Sequence, residues 1–306
     1  MNKAFPKISV ITITHGHEKY ITETLDGVLM QQYAGPVEFI IANDNSPDQT
    51  DKVVKEYFST IKLPENFKIK YTKHKINKGM TTNFIWALQQ ASGKYIALCE
   101  GDDYWTDPLK LQKQVKILED HQDYVLCFSN RKILENDKLT VDQHLHNNVL
   151  FNKKDIPRVY VPTLTAVFRN VVLQIPEKMH RTLIDCSLFL FVSQYGSFYY
   201  IDEPTAVYRV HGQGMYSGSS DLSNFKRSTS ARVVAWFCLK NIDKITLAHV
   251  ITDWNRLKKE AALRDHHYIS AAGSYFLHGF MELYVLKENI IGKFKKKLLK
   301  NKIQCK

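Results

Sequence analysis

Residues 94–105 read KYIALCEGDDYW. The apolar run at 95–99 has the length of a strand buried on both faces, and Glu100-Gly101-Asp102-Asp103 ends it abruptly. Three carboxylates within four residues repel one another and need compensation. The loop is either a solvated acidic turn or the seat of a divalent cation. Mn²⁺ and Mg²⁺ take oxygen ligands and often share one or two carboxylates with substrate phosphates. Its place after a buried strand favours the second reading, because open α/β sheets bind ligands outside the carboxyl ends of their strands.

The flanks supply that sheet. Upstream, 8–13 (ISVITI), 38–42 (EFIIA) and 68–71 (KIKY) are short strand-like runs. Apolar residues recur at helical spacing in 18–32, and further helices are expected from near Thr50 and over 80–91. Downstream, a helix over 108–120 opens on Pro108, which suits a first turn, and a strand over 124–129 follows. Residues 135–158 are polar and read as a loop, 183–195 as an apolar helix, 199–201 and 206–210 as strands. Strands alternating with helices predict an α/β fold whose central sheet is mostly parallel and covered by helices on both faces. The loops at 14–18, 43–48 and 100–105 then line one crevice. From residue 221 onward there is no proline and the patterning turns helical. The chain therefore divides into a first part, 1–217, and a helical C-terminal region, 218–306.

Composition narrows the class. The 306 residues are 44% hydrophobic and 24% charged, which excludes a disordered or collagen-like chain. Cys99, Cys127, Cys186, Cys238 and Cys305 are scattered, with no C-x-x-C pair, so neither a disulfide framework nor a zinc site is expected. The longest uninterrupted apolar run, 233–239, falls short of the roughly 20 residues that span a bilayer. The start of the chain lacks the apolar stretch of a secretory leader. The expected location is the cytoplasm, with peripheral contact to the cytoplasmic face of a membrane.

Two further loops carry candidate chemistry. Asp44, in 43–48 (NDNSPD), reads as an Asx-turn residue or as an acceptor for a base or ribose. Asn77-Lys78-Gly79 precedes a helix, where backbone N–H groups and a lysine suit a phosphate, although the segment is not a Walker loop. Asp185 opens an apolar helix, a position that an acid also fills as a capping residue. Trp105, beside the acidic loop, serves either as core or as a stacking platform for a sugar.

Together these segments resemble family 2 glycosyltransferases, inverting enzymes with the A-type nucleotide-sugar-binding fold. Four stretches match in order: ISVITITHGHEKYITETLDGVLMQQY, EFIIANDNSPDQT, NKGMTTNFIWALQQASGKYIALCEGDDYW and RTLIDCSLFLFVSQYGSFYYIDEPTAVYRVHGQGMYS. The resemblance runs over residues 7–217. It implies that Thr14 and His15 flank the base and that Asp44 contacts it. Asn77, Lys78 and Gly79 serve the diphosphate, and Asp103 touches the donor sugar. It implies that Asp102 binds Mn²⁺ or Mg²⁺ directly, with Glu100 beside the ribose or a metal-bound water, and that His211 helps to hold metal or diphosphate. Asp185 matches the family's general base, and Trp105 is the candidate acceptor platform. The implied donor is a nucleotide-diphospho-sugar, a UDP-sugar first. The implied acceptor is a saccharide or a lipid-linked hydroxyl in capsule, lipopolysaccharide or other cell-envelope glycan synthesis. His15, Gly16, Asn43 and Glu100 depart from the family's usual Tyr, Asn, Asp and Asp. Asn43 both donates and accepts, which leaves the choice of base open.

Two other classes compete. A nucleotidyltransferase wants a Gly-rich basic loop after the first strand, whereas THGHEKY has one glycine and an acid. A nucleic-acid-binding module is suggested by the formal net charge of +11. That charge is concentrated, however. Residues 293–306 (KFKKKLLKNKIQCK) hold seven lysines and no acid, and setting them aside leaves 35 basic against 31 acidic residues. Nucleic acid is therefore not an expected partner. Ile290, Ile291, Phe294 and Leu298 share one helical face among the lysines, a pattern suited either to a frayed terminus or to an interfacial helix on an anionic membrane.

Overall fold

The computed structural model describes residues 4–304 apart from 143, 144, 146, 213 and 215, and at 268, 290 and 292–304 it describes the backbone alone. The chain runs β1 (Ile8–Thr14), α1 (Ile21–Leu29), β2 (Val37–Asn43), α2 (Thr50–Thr60), β3 (Phe67–Lys73), α3 (Met80–Gln89), β4 (Tyr95–Leu98), β5 (Tyr104–Trp105) and α4 (Lys110–Asp120). It continues through β6 (Tyr124–Glu135), β7 (Lys138–Val141), β8 (Val149–Phe151), β9 (Val167–Arg169), α5 (Asp185–Val192) and β10 (Ser197–Val210). It closes with α6 (Asp221–Cys238), α7 (Lys244–Arg264) and α8 (Tyr268–Gln304). The expected α/β class is borne out: one central sheet lies between helices, and the C-terminal region is helical.

The sheet order is β3-β2-β1-β4-β9-β6-β10-β5, with β7 beside β6 and β8 beside β10. Its first four strands are parallel, Ile8 opposite Val37 and Tyr95, and Val37 opposite Phe67. Side-chain alternation explains why these strands read as continuous apolar runs. Ile11, Ile40, Ala42, Ile96 and Leu98 enter one core with α3 and α5, while Val10, Phe39, Ile41, Tyr95 and Ala97 enter the other with α1 and α4. Both faces are dry, so there is no polar side to expose. In α1, Ile21, Leu25 and Val28 bury one stripe at i, i+4, i+7. Each such fully buried aliphatic contributes roughly 1.5–3 kcal/mol.

The second half of the sheet is mixed. β9 is antiparallel to both β4 and β6, β5 is antiparallel to β10, and β10 is parallel to β6 with register shifts around Pro204. The stretch read as a loop at 135–158 contains β7 and β8. β7 folds back on β6 through Asn136 and Asp137, both in the left-handed region at φ 49° and 59°, the geometry of a two-residue hairpin turn. The four residues of β7, Lys-Leu-Thr-Val, alternate but are all exposed, so the strand is too short and too open to stand out from the polar stretch around it. The strands expected at 199–201 and 206–210 are one strand, β10.

At the end of the sheet away from the acidic loop, Glu38 is buried and ionised. Burial alone would raise its pKa, but Lys70 at 2.5 Å, Ser9 at 2.7 Å and Ser92 hold it down at about 2. Among the described residues Cys99, Cys127, Cys186 and Cys238 are free thiols, the first two fully buried. None of the described helices is long and apolar enough to cross a membrane. Cys305 and the side chains of the lysine-rich tail, with those of Ile290, Phe294 and Leu298, lie outside the described residues.

Candidate functional site

The carboxyl ends of β1, β2 and β4 meet at one edge. Asp44 N–H donates to Thr14 O at 2.9 Å and Gly101 N–H to Ile13 O at 3.0 Å, so the three loops after these strands are tied together by backbone. Gly16, at φ 75°, turns the first loop back. Ser46 Oγ, Thr50 Oγ1 and an Asp48 carboxylate oxygen then accept from the backbone N–H groups of Gly16, His17 and Glu18 at 3.1, 2.9 and 2.9 Å.

Six of the candidate nucleotide-binding residues cluster here. Lys78 N–H donates to Asp44 Oδ1 at 2.7 Å, and Gly79 N–H donates to Asn77 Oδ1 at 2.7 Å. His15 Nδ1 lies 3.0 Å from Asp44 O, and its Nε2 lies 3.4 Å from Asn77 Nδ2. Thr14 is buried, whereas His15, Asn77, Lys78 and Gly79 are exposed around the buried Asp44. Asn43 belongs to the frame instead. Its Oδ1 accepts Ser46 N–H at 2.8 Å and its Nδ2 donates to Tyr71 OH at 3.0 Å. It is completely buried, with both amide atoms taken up by these bonds.

The acidic loop packs tightly. A Cβ added to Gly101 would stand 2.7 Å from Thr14 Oγ1 and 2.9 Å from His17 Nδ1, so glycine lets the loop close against β1 without displacing either side chain. Asp102 Oδ2 sits 3.0 Å from His211 Nε2 and 3.7 Å from His17 Nε2. Burial works against the Asp102 charge, but the His211 hydrogen bond and the His17 field outweigh it and hold its pKa low. His17 is pulled down, chiefly by burial. Glu100 is pushed up by burial and by the adjacent Asp102 charge. Of the three acids Asp102 carries the charge, because it alone has two imidazoles facing it.

Asp103 points elsewhere. It is 4% exposed and its Oδ1 accepts Arg209 N–H at 2.9 Å, while Arg209 Nε donates to Asp102 O at 3.0 Å. Its carboxyl knits the loop to β10 and does not face the cavity, which corrects the expected contact with donor sugar. Trp105 is corrected likewise. It is 2% exposed, its Nε1–H donates to Leu164 O at 2.8 Å, and Lys110 Nζ lies 4.6 Å from its ring centroid. Antiparallel pairing of β5 with Ala206 of β10 turns the indole into the core, away from any acceptor.

A cavity of about 770 Å³ opens beside the loop. Glu100 and Asp102 line it together with Asp185. Asp185 Oδ1 accepts Cys186 N–H at 2.6 Å, so it does stabilise the start of α5, and Thr163 Oγ1 lies 3.5 Å from its Oδ2. Burial pushes its pKa up, against the Cys186 hydrogen bond and the Arg232 charge. The far wall was not anticipated. Asn224, Arg227, Ser228 and Arg232 of α6 line it at i, i+3, i+4, i+8, and Val250, Asp253 and Trp254 of α7 face them at i, i+3, i+4. Arg232 lies over Trp254 at 4.4 Å. Arg131, whose Nε donates to Asp142 at 2.9 Å, and Tyr208 complete the site side. His17 was also missed, although its place three residues after Thr14 in the first loop was a usable signal.

The donor set fits a divalent cation. Glu100 Oε2, His17 Nδ1, His211 Nδ1 and Thr14 Oγ1 are buried polar atoms without a partner, and all four lie in or beside the acidic loop. Carboxylate with imidazole suits Mn²⁺ in particular, since Mg²⁺ prefers oxygen alone. Among the described residues no group of three His, Cys, Asp or Glu side chains is arranged to hold a metal ion by itself. An ion held by Asp102 and His211 would therefore complete its shell with water or phosphate oxygens.

The family model described as glycosyl transferase family 2 matches residues 9–174. Uncharacterized protein Rv1520 of Mycobacterium tuberculosis is 34% identical over 217 residues, 68% of this chain, and the chain spans 60% of that relative's length. The putative teichuronic acid biosynthesis glycosyltransferase TuaG of Bacillus subtilis is 26% identical over 78% of this chain and 90% of its own. Among solved structures, S. aureus TarS 1-349 in complex with UDP-GlcNAc superposes with a TM-score of 0.59 at 16% identity, covering 89% of this chain and 90% of that one. The mannosyltransferase PcManGT of Pyrobaculum calidifontis, in complex with GDP-Man and Mn²⁺, gives 0.56 at 13% identity over 92% and 83%. These two share the fold. With the family model covering more than half of its length, the chain belongs to glycosyl transferase family 2.

Proposed function

We propose that the chain transfers a sugar from a nucleotide-diphospho-sugar, a UDP-sugar first, to an acceptor hydroxyl with inversion at the anomeric carbon. The observation that carries this reading is one cavity lined by both the ionised Asp102, paired with His211, and the half-buried Asp185. His15, Asp44, Asn77, Lys78 and Gly79 hold the nucleotide end. Asp102 and His211 hold Mn²⁺ or Mg²⁺, with Glu100 beside them; when bound, the cation neutralises charge on the departing diphosphate. Asp185 accepts the proton of the attacking hydroxyl. Its burial raises its proton affinity towards that of an effective base near neutral pH. A single displacement aided by a single base inverts the centre. Complexes of related folds with UDP, UDP-GlcNAc and GDP-Man support the donor class.

We assign donor binding and the base to residues 1–217, and closure of the cavity to 218–306 through α6 and α7. The acceptor is a saccharide or lipid-linked hydroxyl of a cell-envelope glycan, met at the cytoplasmic face of the membrane. In the test, Asp185→Asn lowers turnover at least about a thousandfold, while calorimetry finds nucleotide affinity unchanged. Asp102→Ala removes the Mn²⁺ dependence of nucleotide binding. Wild-type turnover in the first variant, or unchanged Mn²⁺-dependent affinity in the second, would overturn the respective role.

A further inference from the structure

The helix α8 has two unlike faces. Ala271, Ser274 and Met281 are buried against the body of the protein. The opposite face is apolar and open: Ile269 is 92% exposed, Phe276 83%, Phe280 48% and Leu283 68%. At about 100° per residue these four fall within about 60° of arc. Phe237, 66% exposed at the end of α6, stacks near Phe280 with ring centroids 6.5 Å apart and widens the strip. The acids of α8, Glu282 and Glu288, lie about 80° or more outside it. The spacing recurs further along the sequence at Ile290, Phe294 and Leu298, within the segment whose seven lysines come without an acid.

Solvent-facing aromatic and aliphatic groups in a contiguous line are a standing cost to a monomer and mark a contact surface. Two occupants have the right shape, a second copy of α8 or a lipid interface. Charge decides between them. Parallel copies would bring two lysine-rich ends together and antiparallel copies would leave both ends without an anionic partner, whereas an anionic bilayer offers hydrocarbon for the strip and headgroups for the lysines. Tyr275 and Leu286, 61% and 56% exposed, broaden the apolar side, while Ala271, Ser274 and Met281 are held by the protein, so α8 offers one side to a bilayer, and none of the described helices is long and apolar enough to cross it. We propose that α8 docks this protein on an anionic membrane, with Ile269, Phe276, Phe280 and Leu283 inserted at the headgroup boundary. The inference stands on the surface alone and does not depend on the catalytic assignment.

The test is co-sedimentation of the full chain with vesicles of phosphatidylcholine alone and of phosphatidylcholine with phosphatidylglycerol, two to one. Binding is expected to the anionic vesicles, weakening with salt. The variant Ile269→Ser, Phe276→Ser, Leu283→Ser should partition about a hundredfold less, with unchanged circular dichroism and melting temperature. These side chains are exposed and support no packing, and the replacement of all three by Leu, Met or Ile should retain binding. Equal partition of the Ser variant and wild type would overturn the proposal. So would equal binding to neutral and anionic vesicles, or no binding to either. A wild-type dimer in solution that the Ser substitutions dissociate would give the strip to a second copy instead.

Discussion

Lys110 offers a measurement whose size follows from the structure. Its side chain is wholly buried beneath Trp105, with Nζ donating to Gln114 Oε1 at 2.6 Å and to Thr165 O at 3.1 Å. Burial lowers its pKa to about 7, with Cys99, Cys127 and Asp107 pulling weakly the other way. In the unfolded chain the group returns to about 10.4. Between these values the unfolded chain holds a proton that the folded chain has released, so stability rises as pH is raised from about 7 to about 10 and is flat in this respect below 7. Roughly three pKa units correspond to about 4 kcal/mol. Lys110→Met keeps the length of the side chain and removes the titration. Urea unfolding followed by tryptophan fluorescence at a series of pH values should show wild type gaining about 4 kcal/mol more than the variant between pH 7 and 10. Tyrosine and cysteine titrations are common to both chains and cancel in the difference. Two curves that run parallel over that range would refute the reasoning.

Two other substitutions probe the loop above it. Gly101→Ala brings a methyl group within 3 Å of Thr14 and His17, side chains that can shift, so the fold should survive with a loss of roughly 1–3 kcal/mol. Turnover should fall about a hundredfold as His17 is moved from Asp102, a contrast read from melting temperature and steady-state rates together. Trp105→Phe leaves Leu164 O without its indole donor and should cost roughly 1–3 kcal/mol in denaturant unfolding, with KM for the acceptor unchanged because the ring is out of reach.

Strands buried on both faces announce themselves, and β1, β2 and β4 were legible as unbroken apolar runs for that reason. The loops after them were equally legible, since Asp44, Lys78 and Asp102 stand where such strands end. The second half of the sheet was not. β9 is three residues long and takes its place from pairing with β4 and β6, and β7 is four residues long and exposed throughout. Its local marks are the Asn136-Asp137 turn and a short alternation, Lys-Leu-Thr-Val, that no buried face backs. Trp105 and Asp103 were placed in the site because they adjoin it in sequence, but pairing with β10 rotates both inward. Arg232 and Trp254 stand in helices whose patterning says only that they are helical. Their cavity-facing role arises from packing between segments far apart in the chain.

The split wall of the cavity has a consequence for how such a protein diversifies. The loops around Asp44 and Asp102 are fixed by backbone bonds to neighbouring strands, so exchanges there disturb the sheet itself. The facing residues Asn224, Arg227, Ser228, Arg232, Asp253 and Trp254 are side chains on two helices whose backbones bond internally. Asn224 is the exception, since its Nδ2 donates to Tyr216 O and ties the preceding loop to α6. The other five can be replaced one at a time while the helix backbones stay intact, so drift in a lineage should accumulate at them before it reaches the acidic loop.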